Sequence, residues 1–227
     1  MRFLIPPTSR ARSFTRSTTS IGAHPVPDGV AAVPLDATRE EDVASAFSAA
    51  AASLGGIDAL VNLAGFANRL ASFDSLSEEE WEATVSGNLR AAFLCCKAGF
   101  PFLRQSPAGA IVNIASGQAV RPLPGFAPYS SSKSAVIALT KTIAAEGAPV
   151  RANVVAPGAV NTAFFTGGTG RPEREPSVDL RAYARTVPLG RAAEPADIVG
   201  PILFLLGPGA GFVNGQVLHV NGGGLMP

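Results

Sequence analysis

The sequence predicts an α/β fold: a doubly wound parallel sheet with helices on both faces, in three αβα layers. Three observations carry this. From Asp36 onward, apolar runs alternate with helical patterns of ten or more residues, the signature of βαβ units. Ala110-Ile-Val-Asn-Ile-Ala115 reads as a strand buried on both sides. At 227 residues and 47% hydrophobic content, the chain can bury a full core as a single domain. No internal repeat and no second domain are evident. Residues 1–29 form an irregular or disordered arm, and residues 30–227 one domain whose N-terminal strands are incomplete.

Taken in order, Phe3-Leu4-Ile5 could form a short strand, but the arm then runs through Pro, Ser, Thr and Arg without period. Val30 to Leu35 is a strand candidate ending at Asp36. Thr38-x-x-Glu41 reads as a capping box for a helix through Ser53, stopped by Gly55-Gly56. Asp58 to Gly65 reads as a buried strand running into a glycine turn. Ser77 followed by Glu78-Glu79-Glu80 caps the next helix and puts acids at its positive end. Trp81, Val85, Leu89 and Phe93 continue that helix to about Leu103. Tyr129 to Gly147 is a helix, Arg151 to Ala156 a strand, and Pro195 opens a helix through Leu206. Gln216 to Val220 is the last strand. Asn161 to Gly190 is long and irregular, a candidate substrate lid with Phe164 and Phe165 at an apolar pocket. Gly167-Gly168-Thr169-Gly170 neither follows a strand nor opens a helix in a βαβ unit, so it is not a phosphate loop.

Composition excludes several classes. A net charge of +1 gives no reason to propose nucleic acid or an acidic membrane. No run of about eighteen apolar residues spans a membrane. The arginine-rich start, free of acids over residues 1–27, lacks the amphipathic helix of a transit peptide. Two adjacent cysteines, Cys95 and Cys96, cannot pair on one helix. With two histidines in the chain, a metal site or Ser-His-Asp hydrolase has little to work with, and no metal is expected.

The chemistry gathers between Ser116 and Lys133. Tyr129 and Lys133 stand four apart on a helix and share a face. An ammonium there favours the phenolate, which otherwise forms near pH 10. Ser116 follows a strand end, where open α/β sheets bind ligands. Tyr129 is thus a candidate acid or base, Lys133 its tuner, and Ser116 the partner of a reacting oxygen. Asn88 is a poor helix former in mid-helix and needs a partner or a role. Asp36 after a strand is either a ligand contact or a turn former.

Asn62-Leu-Ala64-Gly65, Asn88, Ser116 thirteen residues before Tyr129, Lys133, and Pro157-Gly158-x-x-x-Thr162 occur in the order and spacing of the short-chain dehydrogenase/reductase family. From about Asp36 to Gly223 the chain resembles that family. The resemblance implies a Rossmann-like fold and an NAD- or NADP-dependent oxidoreductase that interconverts a secondary alcohol and a ketone. It implies Asn88, Ser116, Tyr129 and Lys133 as catalytic residues, Asn88 holding a water that relays protons to Lys133. Asn62, Ala64 and Gly65 would line the nucleotide, and Asp36 would meet the adenine amino group. Pro157, Gly158, Val160 and Thr162 would flank the nicotinamide, with Tyr129 and Lys133 also on the cofactor. Leu63 replaces the second asparagine of the family's motif. A cytoplasmic homodimer or homotetramer with a small alcohol or ketone as partner is implied as well.

The family's first strand runs into T-G-x-x-x-G-x-G, whose glycines admit a pyrophosphate. Before Asp36 the nearest string is Thr15 to Gly22, which lacks two of the three glycines. The expectation is therefore an intact Ser116, Tyr129 and Lys133 site with impaired dinucleotide binding. The alternative is a shortened homologue acting as a non-catalytic partner subunit, or the product of a misplaced start or frameshift.

Overall fold

The computed structural model describes residues 30, 32–33, 35–166 and 175–226. The expectations for residues 1–29, and for the glycine cluster at 167–170, lie outside them. The described helices are α1 (Glu40–Leu54), α2 (Glu78–Val85), α3 (Ala91–Leu103), α4 (Ala127–Glu146), α5 (Leu180–Ala184) and α6 (Pro195–Leu206). The strands are β1 (Ala59–Asn62), β2 (Ala110–Ile114), β3 (Arg151–Pro157) and β4 (Val217–Val220). They form one parallel sheet in the order β1-β2-β3-β4. The architecture is the Rossmann-like layering the sequence predicts.

Strand β2 shows why both faces must be covered. Ile111 and Val112 are both fully buried although they point to opposite faces. Ile111 joins Leu60 and Ala152 beneath α1 and α3, where Val43, Phe47, Leu94 and Leu103 pack. Val112 joins Val155 against Ile198, Ile202 and Leu205 of α6. Helix α6 opens on the reciprocal cap its sequence invites: Glu194 and Asp197 satisfy each other's backbone N–H groups, with Pro195 in the first turn. Helix α2 starts at Ser77, whose hydroxyl accepts from the Glu80 N–H.

Two expectations at the front are corrected. Among the described residues of 30–35, Leu35 alone makes a β-bridge, and among the described residues no strand precedes β1. Pro34 lacks the N–H that a strand interior needs. The Thr38 capping box does not form. Arg39 is the N-cap and makes no side-chain cap. The Thr38 hydroxyl and N–H both donate to Asp36 Oδ1, at 2.7 and 2.9 Å. A two-residue Asp turn competes locally with the cap and wins.

Helix α2 passes into α3 through a π-helical turn, Ser86–Arg90, with Asn88 buried inside it. A buried polar chain ties the layers together. Asn62 Nδ2 donates to Asn113 Oδ1 at 2.7 Å, and Asn113 Nδ2 donates to Thr140 Oγ1 at 2.8 Å. Thr140 in turn donates to the Val136 carbonyl, and Cys96 Sγ lies 3.7 Å from Asn113. Burial pushes the Cys96 thiol up to about 12, so it serves as an uncharged packing group. Asn113 is fully buried, so its loss strands partners on β1 and α4. Asn113→Leu is expected to cost about 2–3 kcal/mol, read as a lowered urea midpoint with an unchanged denaturant slope.

Candidate active site

The site lies at the carboxyl ends of β1, β2 and β3. Beyond β2, Ser116 caps a 3-10 turn, Gly117–Ala119, its Oγ accepting from the Gln118 N–H at 3.2 Å. That turn is pinned to α4 by two serines. Ser130 Oγ donates to Gln118 Oε1 at 3.1 Å, and Ser134 Oγ donates to the Ala119 carbonyl at 2.6 Å. Ser116 is thereby held against Tyr129, one residue from Ser130. Its oxygen already accepts from Gln118, which leaves its proton to donate.

Tyr129 and Lys133 are both buried. Burial raises the Tyr129 phenol above its ordinary value, and a hydrogen bond with Ser116 pulls it back down. Lys133 Nζ donates to the Ile114 carbonyl at 2.8 Å and stands 5.9 Å from the Tyr129 ring centre. Burial lowers Lys133 from 10.5 to about 8. The groups acting on the phenol here are thus its apolar surroundings first and Ser116 second. The phenol keeps its proton at neutral pH, which suits a general acid.

Asn88 spans the gap between α2–α3 and the loop after β1. Its Nδ2 donates to the Phe66 carbonyl and its Oδ1 accepts from the Phe66 N–H, both at 2.9 Å. The amide clamps the loop with both ends of the side chain. Gly65 is squeezed between this clamp and Lys133: a Cβ there would fall on Asn88 Oδ1 and stand 3.2 Å from Lys133 Nζ. Ala64 beside it is exposed. Asn62 turns into the sheet, toward Asn113 and Cys96.

Beyond β3, Gly158 donates to the Val220 carbonyl, and a Cβ on it would meet the Tyr183 hydroxyl from α5. That hydroxyl accepts from the Ala159 N–H at 3.1 Å. Val160 forms a parallel bridge with Ala193. Thr162 Oγ1 donates to the Val160 carbonyl and accepts from the Phe164 N–H, each at 3.4 Å. Asp36 lies before α1, its carboxyl held below the ordinary range by Thr38. Aromatic rings close over Tyr129, with Phe126 at 6.4 Å and Phe164 at 5.9 Å between centroids. Phe126, Gln118, Ser130 and Ser134 were not singled out from sequence. The serine-rich run around Lys133 is the signal that could have found two of them, Ser130 and Ser134.

A part-buried serine hydroxyl and a buried phenol stand beside a buried ammonium on a doubly wound parallel sheet, an arrangement suited to proton transfer. Comparison with known proteins agrees. The family described as Enoyl-(Acyl carrier protein) reductase matches residues 10–224. The chain is 36% identical over 196 residues to 3beta-hydroxysteroid dehydrogenase 1 of Eggerthella lenta, covering 85% of this chain and 73% of that protein. It is 36% identical over 171 residues to the human dehydrogenase/reductase SDR family member 4, covering 74% of this chain but 60% of that protein. The structure of 3-ketoacyl-(acyl-carrier-protein) reductase from Brucella melitensis, complexed with NADH, superposes with a TM-score of 0.79 at 30% identity. That match covers 88% of this chain and 80% of the other. The chain belongs to the short-chain dehydrogenase/reductase family, whose members are nicotinamide-dependent oxidoreductases.

Lys133 gives a prediction with a definite sign. Its folded pKa, about 8, lies below the ordinary 10.5. Below pH 8 it is charged in both states, and its burial penalty, on the order of 3 kcal/mol, is fully present. Between pH 8 and 10.5 the unfolded chain binds more protons, so wild-type stability rises. Lys133→Met is expected to raise the urea midpoint at pH 7, with a gap that narrows toward pH 10.5.

Proposed function

We propose that this site interconverts a secondary alcohol and a ketone, with NAD(H) or NADP(H) as the hydride partner and Tyr129 as general acid and base. The observation that carries the reading is the pairing of the Ser116 hydroxyl with the buried Tyr129 phenol. Ser116 would donate to the reacting oxygen while Tyr129 gives it a proton in reduction and takes one in oxidation. Lys133, charged at neutral pH, would favour the phenolate left after proton donation. Asn88 would hold the Phe66 loop and the Gly65 turn in place beside Lys133.

The donor set fits the ribose–nicotinamide end of a dinucleotide. Tyr129 and Lys133 would hold the ribose, and Val160 and Thr162 the carboxamide, beside the Pro157-Gly158 turn. Asp36, Ala64 and Gly65 would line the adenine side. The network formed by Asn62 supports it as part of the wall behind them. When bound, the nicotinamide supplies or accepts the hydride. Residues 30–227 would act as one domain, and a cytoplasmic homodimer or homotetramer completes the proposal on family resemblance alone.

A second reading, a non-catalytic partner subunit, is favoured by one observation: residues 1–35 contain no glycine-rich pyrophosphate motif. Titration of the 227-residue chain with NADH and NADPH, followed by nicotinamide fluorescence, separates the two. Micromolar binding supports the enzyme, and no binding at millimolar cofactor supports the second reading. In an active preparation Tyr129→Phe is expected to lower turnover by at least about 100-fold. Near-native turnover in that variant would remove Tyr129 from the chemistry.

A further inference from the structure

We infer that Tyr183 is a positioning residue for the dinucleotide: it holds the Pro157–Ala159 turn in its cofactor-binding form and ties α5 to the nicotinamide half of the site. The inference rests on the oxidoreductase reading above. The turn leaves β3 at Pro157 and leads to Val160 and Thr162, the residues placed at the carboxamide. Its backbone N–H groups are held in two ways. Gly158 donates to the Val220 carbonyl of β4 at 3.0 Å, and Asn161 donates to the Ala193 carbonyl at 2.8 Å. Both of those partners are backbone. Between them the Ala159 N–H goes to a side chain, the Tyr183 hydroxyl, at 3.1 Å.

The turn is packed on two sides, and a glycine permits the close approach on each. Toward α5, a Cβ on Gly158 would meet the Tyr183 hydroxyl. Toward the reacting centre, Gly117 follows Ser116, and a Cβ on it would stand 3.6 Å from the Pro157 carbonyl. A packed path therefore runs from Ser116-Gly117 through Pro157-Gly158 to Tyr183. Its far end is a weak element. Helix α5 spans five residues, Leu180–Ala184, too few to hold a helix alone. Besides Tyr183, it is joined to the site by the segment that follows, where Val187 packs on Gly222 and Gly224 and the Leu189 N–H donates to the Gly222 carbonyl at 3.2 Å. By reciprocity, if a docked α5 favours the binding form of the turn, a bound dinucleotide favours a docked α5 by the same factor. Asp36, Ala64 and Gly65, placed at the adenine side, lie before α1 and after β1. Their share of the binding does not pass through Tyr183.

The test uses the full chain and its Tyr183→Phe variant, which removes one oxygen and keeps the ring. Calorimetry measures the binding of NADH and NADPH, and of ADP-ribose and its 2′-phosphate, which lack the nicotinamide. Tyr183→Phe is expected to weaken the better-bound dinucleotide about tenfold, the effect of one lost hydrogen bond, and the matching fragment by less than about twofold. A purely structural loosening would weaken both together. A second measurement needs no variant. Trypsin cleavage of the wild type at Arg181 and Arg185, both exposed on either side of Tyr183, is expected to slow about tenfold with saturating dinucleotide and to ignore the fragment. Equal dinucleotide affinity in variant and wild type, a parallel loss for the fragment, or wild-type cleavage indifferent to dinucleotide overturns the inference and leaves the oxidoreductase reading standing. A wild-type chain that binds neither dinucleotide overturns both.

Discussion

The structure depends on a constraint at β2: a strand with both faces fully buried must still carry polar side chains to the places that need them. Ile111 and Val112 fill opposite cores, yet Asn113 follows immediately and is equally buried. A buried amide is tolerable only when its hydrogen bonds are made. Asn113 makes them to Asn62 on β1 and Thr140 on α4. The same bonds fix α4 on the sheet, and α4 presents Tyr129 and Lys133. Core and site are thus set by one strand of five residues, read in two directions.

The site works against its own burial. Neither the phenol nor the ammonium is stabilised in its charged form by apolar surroundings, and both shift toward neutrality. A proton-transferring pair gains from this, because a neutral donor and a weakly held ammonium stand close to exchange at ordinary pH. The serine pins on the Ser116 turn matter for the same reason. With Gln118 and Ala119 held by Ser130 and Ser134, the Ser116 hydroxyl need not reorganise when charge develops on its partner.

Much of this was legible in the chain. The i, i+4 spacing put Tyr129 and Lys133 on one face, and the continuous apolar run before Ser116 placed it at a strand end. The alternation of runs and helices gave the layering because period and length carry that information locally. What failed was decided by competition between neighbours. Asp36 captured Thr38 before it could cap α1. Val30 to Leu35 looked like a strand by composition, yet Pro34 interrupts its donors. The bond from Asn62 to Asn113 joins positions 51 apart, beyond any spacing rule. The rings of Phe126 and Phe164 meet Tyr129 only through the fold.

The π-helical turn at Ser86–Arg90 sets the rotational phase of everything after it. One residue advances an α-helix by about 100°, so an extra residue in one turn re-aims the whole downstream segment. Helix α2 faces its Thr84 inward, while α3 faces Leu94, Cys95 and Leu103 into the core. The turn joins a segment that buries the polar Thr84 and Asn88 to one that buries an apolar stripe. It also makes the rod intolerant of length changes. Excising one residue from the turn would rotate the buried stripe of α3 by about 100° relative to Thr84. In this segment the number of residues is as strongly constrained as their identity.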